Sequence, residues 1–162
     1  MLPIVIDIEA SGFGRKSYPI EVGVALPDET THCFLLAPPQ VWTYWDEQAE
    51  AVHGISREIL EQHGHPLEDV AWRLNELLSN KVIYSDAWSF DMSWLGKLYD
   101  VVNMPQTFRI ASLYELMTEQ QLAGWDELKE KAMSRLQLQR HRASGDARIL
   151  QESYRLASEL AA

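Results

Sequence analysis

The sequence predicts a single α/β domain, residues 1–162, built on a mixed sheet. Three strand-like segments come first in the 162-residue chain, and helical and strand-like segments then alternate to its end. This order is typical of domains in which helices pack on a sheet. The length suits one domain, and neither a long linker nor an internal repeat divides the chain.

β-Branched and apolar residues indicate the strands. Residues 2–10 begin as a run that is apolar on both faces, as in a central strand of a sheet. Residues 20–26 and 30–37 follow it, and the short turn between these two strands predicts a hairpin. Two further short strands are predicted at 81–86 and 107–111.

Apolar residues at helical spacing predict four helices, at 67–79, 89–102, 124–138 and 145–161, with Ser89 as the N-cap of the second. Residues 38–45 carry two prolines and the aromatic residues Trp42, Tyr44 and Trp45. This composition predicts a packed or partner-facing loop. A homodimer contact, a core position and a substrate-side position are all open for its aromatic residues.

The composition excludes several classes of protein. A net charge of −10 excludes a generic basic DNA coat, and 46% hydrophobic residues exclude a disordered acidic tail. The single cysteine, Cys33, excludes an internal disulfide framework and a cysteine-rich zinc site. The sequence lacks a membrane-length apolar run and a secretory signal. We therefore expect a cytoplasmic protein without a membrane partner.

Four carboxylates occupy positions where apolar residues are expected. Asp7 and Glu9 share one face of the first strand, and Asp91 and Asp146 each begin the apolar stripe of a helix. Individually, these acids fit a strand end that emerges into solvent and helix N-termini that favour negative charge. Together, four inward-facing acids need cations. Ligand sets made only of oxygen suit Mg²⁺ or Mn²⁺.

His141 lies five residues before Asp146, in the loop that enters the last predicted helix. A lone histidine at such a position is usually exposed and inert. Its proximity to an acid that could bind metal makes it a candidate general base.

Motifs along most of the chain resemble those of the DEDDh 3′–5′ exonucleases, the superfamily of ribonuclease T and the polymerase proofreading subunits. The stretch Asp7-Ile8-Glu9-Ala10-Ser11-Gly12 resembles the first family motif. The most specific resemblance is the H-x4-D motif, which runs from His141 to Asp146. Two shorter stretches also resemble the family, Ile20-Glu21-Val22-Gly23 and Val52-His53-Gly54-Ile55.

The second family motif, His-Asn-Ala-x-Phe-Asp, is only partly kept. The matching stretch is Asp86-Ala87-Trp88-Ser89-Phe90-Asp91. Phe90-Asp91 preserves the metal-binding end, whereas Asp86-Ala87 stands where the family has His-Asn. The family's Asn often helps to place the substrate backbone, so the effect of this departure on substrate preference is open.

The resemblance implies a ribonuclease H-like fold, a five-stranded mixed sheet flanked by helices, and two Mg²⁺ or Mn²⁺ ions. Asp7 would bridge both ions, Glu9 and Asp146 would complete one of them, and Asp91 would support the other. His141 would act as the general base in phosphodiester hydrolysis at nucleic-acid 3′ ends. The residues expected to contact substrate are Ser11, Gly12, Phe13, Arg140 and Arg142.

The charge is unevenly distributed along the sequence. Residues 129–148 hold six basic and two acidic residues, a net charge of +4, so the remainder carries −14. For Arg140 and Arg142, phosphate contact and solvated surface are equally open. Phe13 could stack on the terminal base or pack in the core. A negative exterior favours short or single-stranded 3′ ends, because few phosphates then need contact.

Two other functions are compatible with the sequence. One is a catalytically silent relative that serves as a binding or assembly module, which the altered second motif favours. The other is a nuclease that acts on small nucleotide esters. The complete set of five acid and histidine residues favours the active exonuclease.

Overall fold

The computed structural model describes residues 1–138 and 140–160. Within these ranges it contains five strands and seven α-helices. The strands are β1 (Val5–Ala10), β2 (Pro19–Ala25), β3 (Thr31–Leu35), β4 (Val82–Ser85) and β5 (Arg109–Ser112). The helices are α1 (Glu47–His53), α2 (Arg57–His63), α3 (Leu67–Leu78), α4 (Trp88–Val101), α5 (Glu119–Ala123), α6 (Trp125–Leu136) and α7 (Ala143–Leu160).

The strands form one mixed sheet in the order β3-β2-β1-β4-β5. The β1–β2 and β2–β3 pairs are antiparallel, which confirms the predicted hairpin. The β1–β4 and β4–β5 pairs are parallel. β1 therefore lies at the centre of the sheet, where the apolar character of its first residues had placed it.

Helices cover both faces of the sheet. Ile4, Ile6 and Ile8 point to one face and join a core with residues of α3 and α4. Val5 points to the other face, where it packs with residues of α6 and α7. The same alternation carries Asp7 and Glu9 onto the α7 face of the strand.

The first turn of α7 lies directly against β2 at Gly23. A Cβ atom on Gly23 would come within 2.2 Å of the backbone of Ala143 and Ser144. Only a glycine allows this close approach of strand and helix. The contact places the start of α7, and with it Asp146, beside the central strand.

Two short helices, α1 and α2, occupy a region where the sequence pattern had indicated no regular structure. Each has only seven residues, too few to show a clear apolar period, and each is stabilised by a side-chain cap. Asp46 accepts from the Gln48 N–H group, and Ser56 accepts from the Ile59 N–H group. The capping residues are visible in the local sequence, but helices this short are stabilised mainly by packing against the rest of the fold.

The predicted N-cap of α4 is wrong. The helix begins at Trp88, one residue before Ser89, and its N-cap residue Ala87 makes no side-chain capping bond. Tertiary contacts set this start: Trp88 Nε1 donates to the carbonyl of Ile110 on β5 at 3.1 Å. This bond holds the first turn of α4 against the edge of the sheet.

The aromatic residues of the 38–45 loop pack against the domain itself. Trp42 stacks on Tyr18 with ring centroids 5.2 Å apart, and a Cβ atom on Gly12 would come within 2.7 Å of Tyr44. These contacts support the core position among the alternatives for this loop.

Among residues 1–138 and 140–160, none of the helices combines the length and apolar character needed to cross a lipid bilayer.

Candidate active site

Three of the predicted acids meet where β1 ends. Asp7 and Glu9 project from the same face of β1, and Asp146 lies in the first turn of α7. One carboxylate oxygen from each residue lies within 4.8 Å of the other two. Residues separated by more than 130 positions thus form one cluster of oxygen atoms.

Asp91 faces the same cluster from α4. The residue is 1% exposed, and its Oδ2 accepts a hydrogen bond from Ser85 Oγ at 2.6 Å. Ser85 Oγ in turn accepts from the Ala87 N–H group at 3.0 Å. Asp91 lines the same cleft as Asp7 and Glu9, and burial followed by the charge of Asp91 raises the pKa of Asp7. Asp7, Glu9, Asp91 and Asp146 are called the carboxylate cluster below.

Burial is the main cause of the raised pKa values in the carboxylate cluster. It raises the pKa of Glu9 and of Asp91 to about 8. The pKa of Asp7 is raised by burial and then by the charges of Asp91 and Glu9, and burial also raises the pKa of Asp146. Within the described chain, neither lysine nor arginine forms a hydrogen bond or ion pair with these four acids. The cluster therefore holds negative charge at an energetic cost.

The donor set fits divalent cations. Asp7 Oδ2 is buried and has no hydrogen-bond partner among the described residues. A buried carboxylate oxygen in this state is strongly destabilising unless a cation contacts it. Because the cluster offers only oxygen ligands, hard cations such as Mg²⁺ or Mn²⁺ suit it best.

His141 lies at the entrance to α7, beside the cluster. Its φ of 63° is left-handed, which is uncommon for a residue other than glycine. This conformation lets the His141 N–H group donate to Asp146 Oδ2 at 2.9 Å. The residue is exposed, so its imidazole is accessible to solvent next to the acid.

Arg142 and Ser11 are engaged within the protein. The Arg142 guanidinium donates through Nε and Nη2 to the carboxylate of Glu21, which is 0% exposed. Ser11 is also fully buried, and its hydroxyl accepts from the Tyr18 N–H group at 3.1 Å. Both side chains are used in holding the local structure. These bonds disfavour the predicted contact of Arg142 and Ser11 with substrate, which stays a prediction.

Phe13 and Arg140 are free to meet a ligand. Phe13 is 70% exposed and contacts the half-exposed Phe90 edge to face, with ring centroids 6.0 Å apart. Arg140 is also exposed. Of the two alternatives for Phe13, the exposed position favours stacking over core packing.

Asp7 lies between two clefts. A polar cleft of about 320 Å³ includes Asp146, Asp86, Lys129 and Arg140 in its lining. An aromatic cleft of about 420 Å³ includes Glu9 and Asp91 together with Gly12, Phe13, His53, Phe90 and Trp94 in its lining. The carboxylate cluster is therefore reached from a charged side and from an apolar side.

Three residues of the site received no role from the sequence, although Glu21 and His53 lie in stretches that resemble the family. Ser85 orients Asp91, Glu21 holds the start of α7, and His53 lines the aromatic cleft. His53 Nδ1 accepts from the Ile55 N–H group at 3.0 Å, and its Nε2 is buried without a hydrogen-bond partner in the described chain. The position of Ser85 at the end of β4, just before the second motif, was a signal that could have identified it.

Asp86 also belongs to the region of the site. Burial raises its pKa, while the charges of Lys129 and Arg140 lower it. Its own charge adds to those that raise the pKa of Asp7. The residue that replaces the histidine of the family motif thus increases the negative charge of the polar cleft.

Comparison with known structures supports the predicted fold. Exonuclease I from Methylocaldum szegediense aligns with a TM-score of 0.73 at 12% identity, over 96% of this chain and 40% of that chain. E. coli exonuclease I in complex with a dA16 oligonucleotide aligns with a TM-score of 0.69 at 10% identity, over 97% and 40% of the two chains. The zinc-bound form of an E. coli exonuclease I complex with single-stranded DNA gives 0.67 at 10% identity, over 95% and 39%.

The chain thus spans about 40% of the length of these structures. At such identities the likeness shows the fold, and it confirms the ribonuclease H-like mixed sheet flanked by helices. No protein-family model and no curated protein matches the sequence.

Proposed function

We propose that residues 1–162 form a single exonuclease domain, a metal-dependent 3′–5′ exonuclease of the DEDDh type. The observation that carries this proposal is the convergence of Asp7, Glu9 and Asp146, with oxygen atoms within 4.8 Å of one another. Asp91 adds a fourth acid, which is itself buried, and no arginine or lysine of the described chain forms an ion pair with the group. A purely structural acid cluster of this kind would destabilise the fold without benefit.

Each residue of the site has a chemical role in this proposal. The four acids would hold two divalent ions, Mg²⁺ or Mn²⁺. When bound, such ions stabilise the negative charge that develops on the phosphate oxygens. His141 takes the proton of the attacking water, and its exposed position lets it pass that proton to solvent. The bond from its N–H group to Asp146 fixes the imidazole-bearing loop next to the acids.

The substrate we propose is the 3′ end of a single-stranded or short nucleic acid. The exposed Phe13 and Phe90 offer faces on which unpaired bases can stack, and Arg140 in the polar cleft can meet a phosphate. The net charge of −10 disfavours long duplexes, which need many phosphate contacts. Four structural neighbours with the same fold were solved with bound oligonucleotides or single-stranded DNA.

The decisive experiment follows 5′-labelled DNA and RNA oligonucleotides over time with Mg²⁺ or Mn²⁺. We expect products that shorten by one nucleotide at a time from the 3′ end, with loss of activity in EDTA. Asp7→Ala should be inactive, whereas Asp69→Ala, an exposed acid on α3, should match the wild type. Lack of cleavage of DNA, RNA and dinucleotides with either metal would instead support the silent binding module. Cleavage confined to dinucleotides would support the nuclease for small esters.

The role of His141 has a separate test. We expect His141→Ala to lower the turnover rate by roughly 10²–10⁴-fold, the usual contribution of a general base. Metal affinity measured by calorimetry should persist, because the acids remain in place. A large loss of metal affinity would show that the imidazole is a ligand instead.

A further inference from the structure

We propose that Lys97 is a positioning residue that holds the loop of residues 12–17 in the shape that presents Phe13, Arg15 and Lys16 to the substrate strand. This loop, called the clamped loop below, begins at Gly12, the last residue of the first motif. The inference rests on the proposed nuclease function and concerns a residue outside the motifs that predicted that function.

The clamp consists of hydrogen bonds from α4 to the backbone of the loop. Lys97 Nζ donates to the carbonyl oxygens of Arg15 and Ser17. An ammonium group has three donor hydrogens, so two of the three are used in holding the loop. Lys97 therefore contributes mainly through these carbonyls and has little capacity left for a phosphate contact.

Trp94 and Ser17 extend the clamp by one further connection. Trp94 Nε1 donates to Ser17 Oγ at 2.9 Å, and this bond is buried. Ser17 Oγ donates to the Gly14 carbonyl at 2.5 Å, and the Ser17 N–H group donates to the same carbonyl at 3.1 Å. Gly14 has a φ of +90°, a conformation that side-chain-bearing residues rarely adopt. The loop is thus closed on itself and fastened to the helix.

Three side chains of the clamped loop are exposed to solvent. Phe13 is 70% exposed, and its only aromatic contact in the described chain is a T-shaped one with Phe90. Arg15 and Lys16 are exposed, and their side chains form neither an ion pair nor a hydrogen bond with any described residue. An aromatic face next to two free cations is the combination that binds single-stranded nucleic acid.

Helix α4 links this loop to the carboxylate cluster. Phe90, Trp94 and Lys97 are spaced four and three residues apart, so they lie along one face of the helix. Asp91, one residue after Phe90, reaches the cluster from the same helix. The clamp consequently fixes the distance between the loop and the acids. Loss of the clamp should weaken substrate binding, because the loop must then be ordered at the moment of binding.

The first test is limited trypsin digestion of the folded protein, with product masses that identify cleavage after Arg15 or Lys16. Lys97→Met should be cleaved there about tenfold faster than the wild type, since local opening exposes the loop. The matched control is Lys81→Met, which removes the same charge from an exposed lysine. Lys81 lies just before β4, outside α4 and outside the clamped loop. Equal cleavage of the Lys97→Met and Lys81→Met variants would overturn the proposal.

The second test separates positioning from catalysis. Lys97→Met should raise the KM for a short oligonucleotide about tenfold and leave kcat nearly unchanged. In a background that also carries Phe13→Ala, Arg15→Ala and Lys16→Ala, the Lys97→Met change should have little further effect, because the groups that it positions are gone. An equal rise in KM in both backgrounds, or a loss confined to kcat, would contradict a positioning role.

Ser17→Ala is a second variant that tests the clamp if Lys97→Met fails to fold. It removes the hydroxyl between Trp94 and Gly14, and it should change proteolysis and KM in the same direction by a smaller factor. If it changes neither, the clamp as described is wrong. If the wild type cleaves no oligonucleotide, the proposed function fails, while the trypsin comparison still decides whether Lys97 holds the loop.

Discussion

Helix α7 carries two carboxylates in opposite electrostatic surroundings. Asp146, in its first turn, joins the carboxylate cluster, where burial and like charges raise the pKa values. Glu152, two turns later, is 2% exposed, but hydrogen bonds from Arg155 and the charges of Arg148 and Arg135 lower its pKa. On the same helix, Asp146 therefore lies among other acids, whereas Glu152 is surrounded by arginines.

Glu21 belongs with Glu152 in this comparison. It is completely buried, yet it accepts two hydrogen bonds through Arg142 Nε and Nη2 and one from the Ala143 N–H group at 2.7 Å. Buried acids with such partners stabilise the fold. Burial alone therefore does not distinguish a candidate site acid from a structural one. The absence of an ion-paired arginine or lysine separates the carboxylate cluster from Glu21 and Glu152.

The largest expected effect comes from changing an acid of the cluster. Asp91→Asn should lower nuclease activity by about 10³-fold or more, since metal-assisted charge stabilisation contributes several kcal/mol. In metal-free buffer it should melt at the same or a higher temperature, because a repelling charge is removed. The matched control is Asp100→Asn, an exposed acid on the same helix, which should leave activity unchanged. A lower melting temperature for Asp91→Asn would indicate a structural role for this carboxylate.

The next effect is stabilisation by metal. Mg²⁺ or Mn²⁺ at 100 times its dissociation constant should stabilise the wild type by about 2.7 kcal/mol, because the folded state alone forms the site. Asp7→Asn should lose most of this gain. Thermal or urea unfolding with and without metal measures both quantities. A gain of equal size in Asp7→Asn would show that the metal binds elsewhere.

Glu152→Gln should lower stability and leave nuclease activity in place, the reverse of Asp91→Asn. Because the arginines around it would lose their charged acceptor, the free energy of unfolding should fall by about 1–3 kcal/mol. Nuclease activity at a temperature below the transition should persist. Urea unfolding measures the first quantity, and Glu159→Gln, an exposed partner of Arg155, serves as the control. If Glu152→Gln were as stable as the control, its arginine partners would have no net effect on the fold.

The last expected effect is the pH dependence of stability in metal-free buffer. The folded-state pKa values of Glu9 and Asp91, about 8, exceed their ordinary values, so the native state keeps protons that the unfolded state has lost. Stability should therefore fall as the pH rises from about 4 to about 8. Asp91→Asn should flatten this slope.

Glu152 contributes with the opposite sign. Its pKa is lowered in the folded state, so its contribution is present above the ordinary pKa of 4.5 and is lost as the pH falls through the lower folded value. Unfolding curves measured between pH 3 and pH 9 should show both regions for the wild type, and Glu152→Gln should lose the acid one. A flat profile between pH 4 and pH 8 would argue against uncompensated acids.

Local sequence patterns predicted the order of the main strands and helices and the acids that line the candidate site. Alternation along β1 put Asp7 and Glu9 on one face, and the helical periods put Asp91 and Asp146 at helix starts that face the core. These features depend on residues a few positions apart, which a local pattern records. The local pattern did not predict the short helices α1 and α2 or the start of α4.

Which acids have a cationic partner depends on contacts that form only in the folded chain. Arg142 and Glu21 are 121 positions apart, and this arginine, a candidate for phosphate contact in the sequence, is bound to a buried glutamate. The bond from Ser85 to Asp91 and the fastening of the clamped loop by Lys97 were equally hidden. The charge state of a buried group depends on partners brought together by packing, and their distances in space are not written in their spacing along the chain.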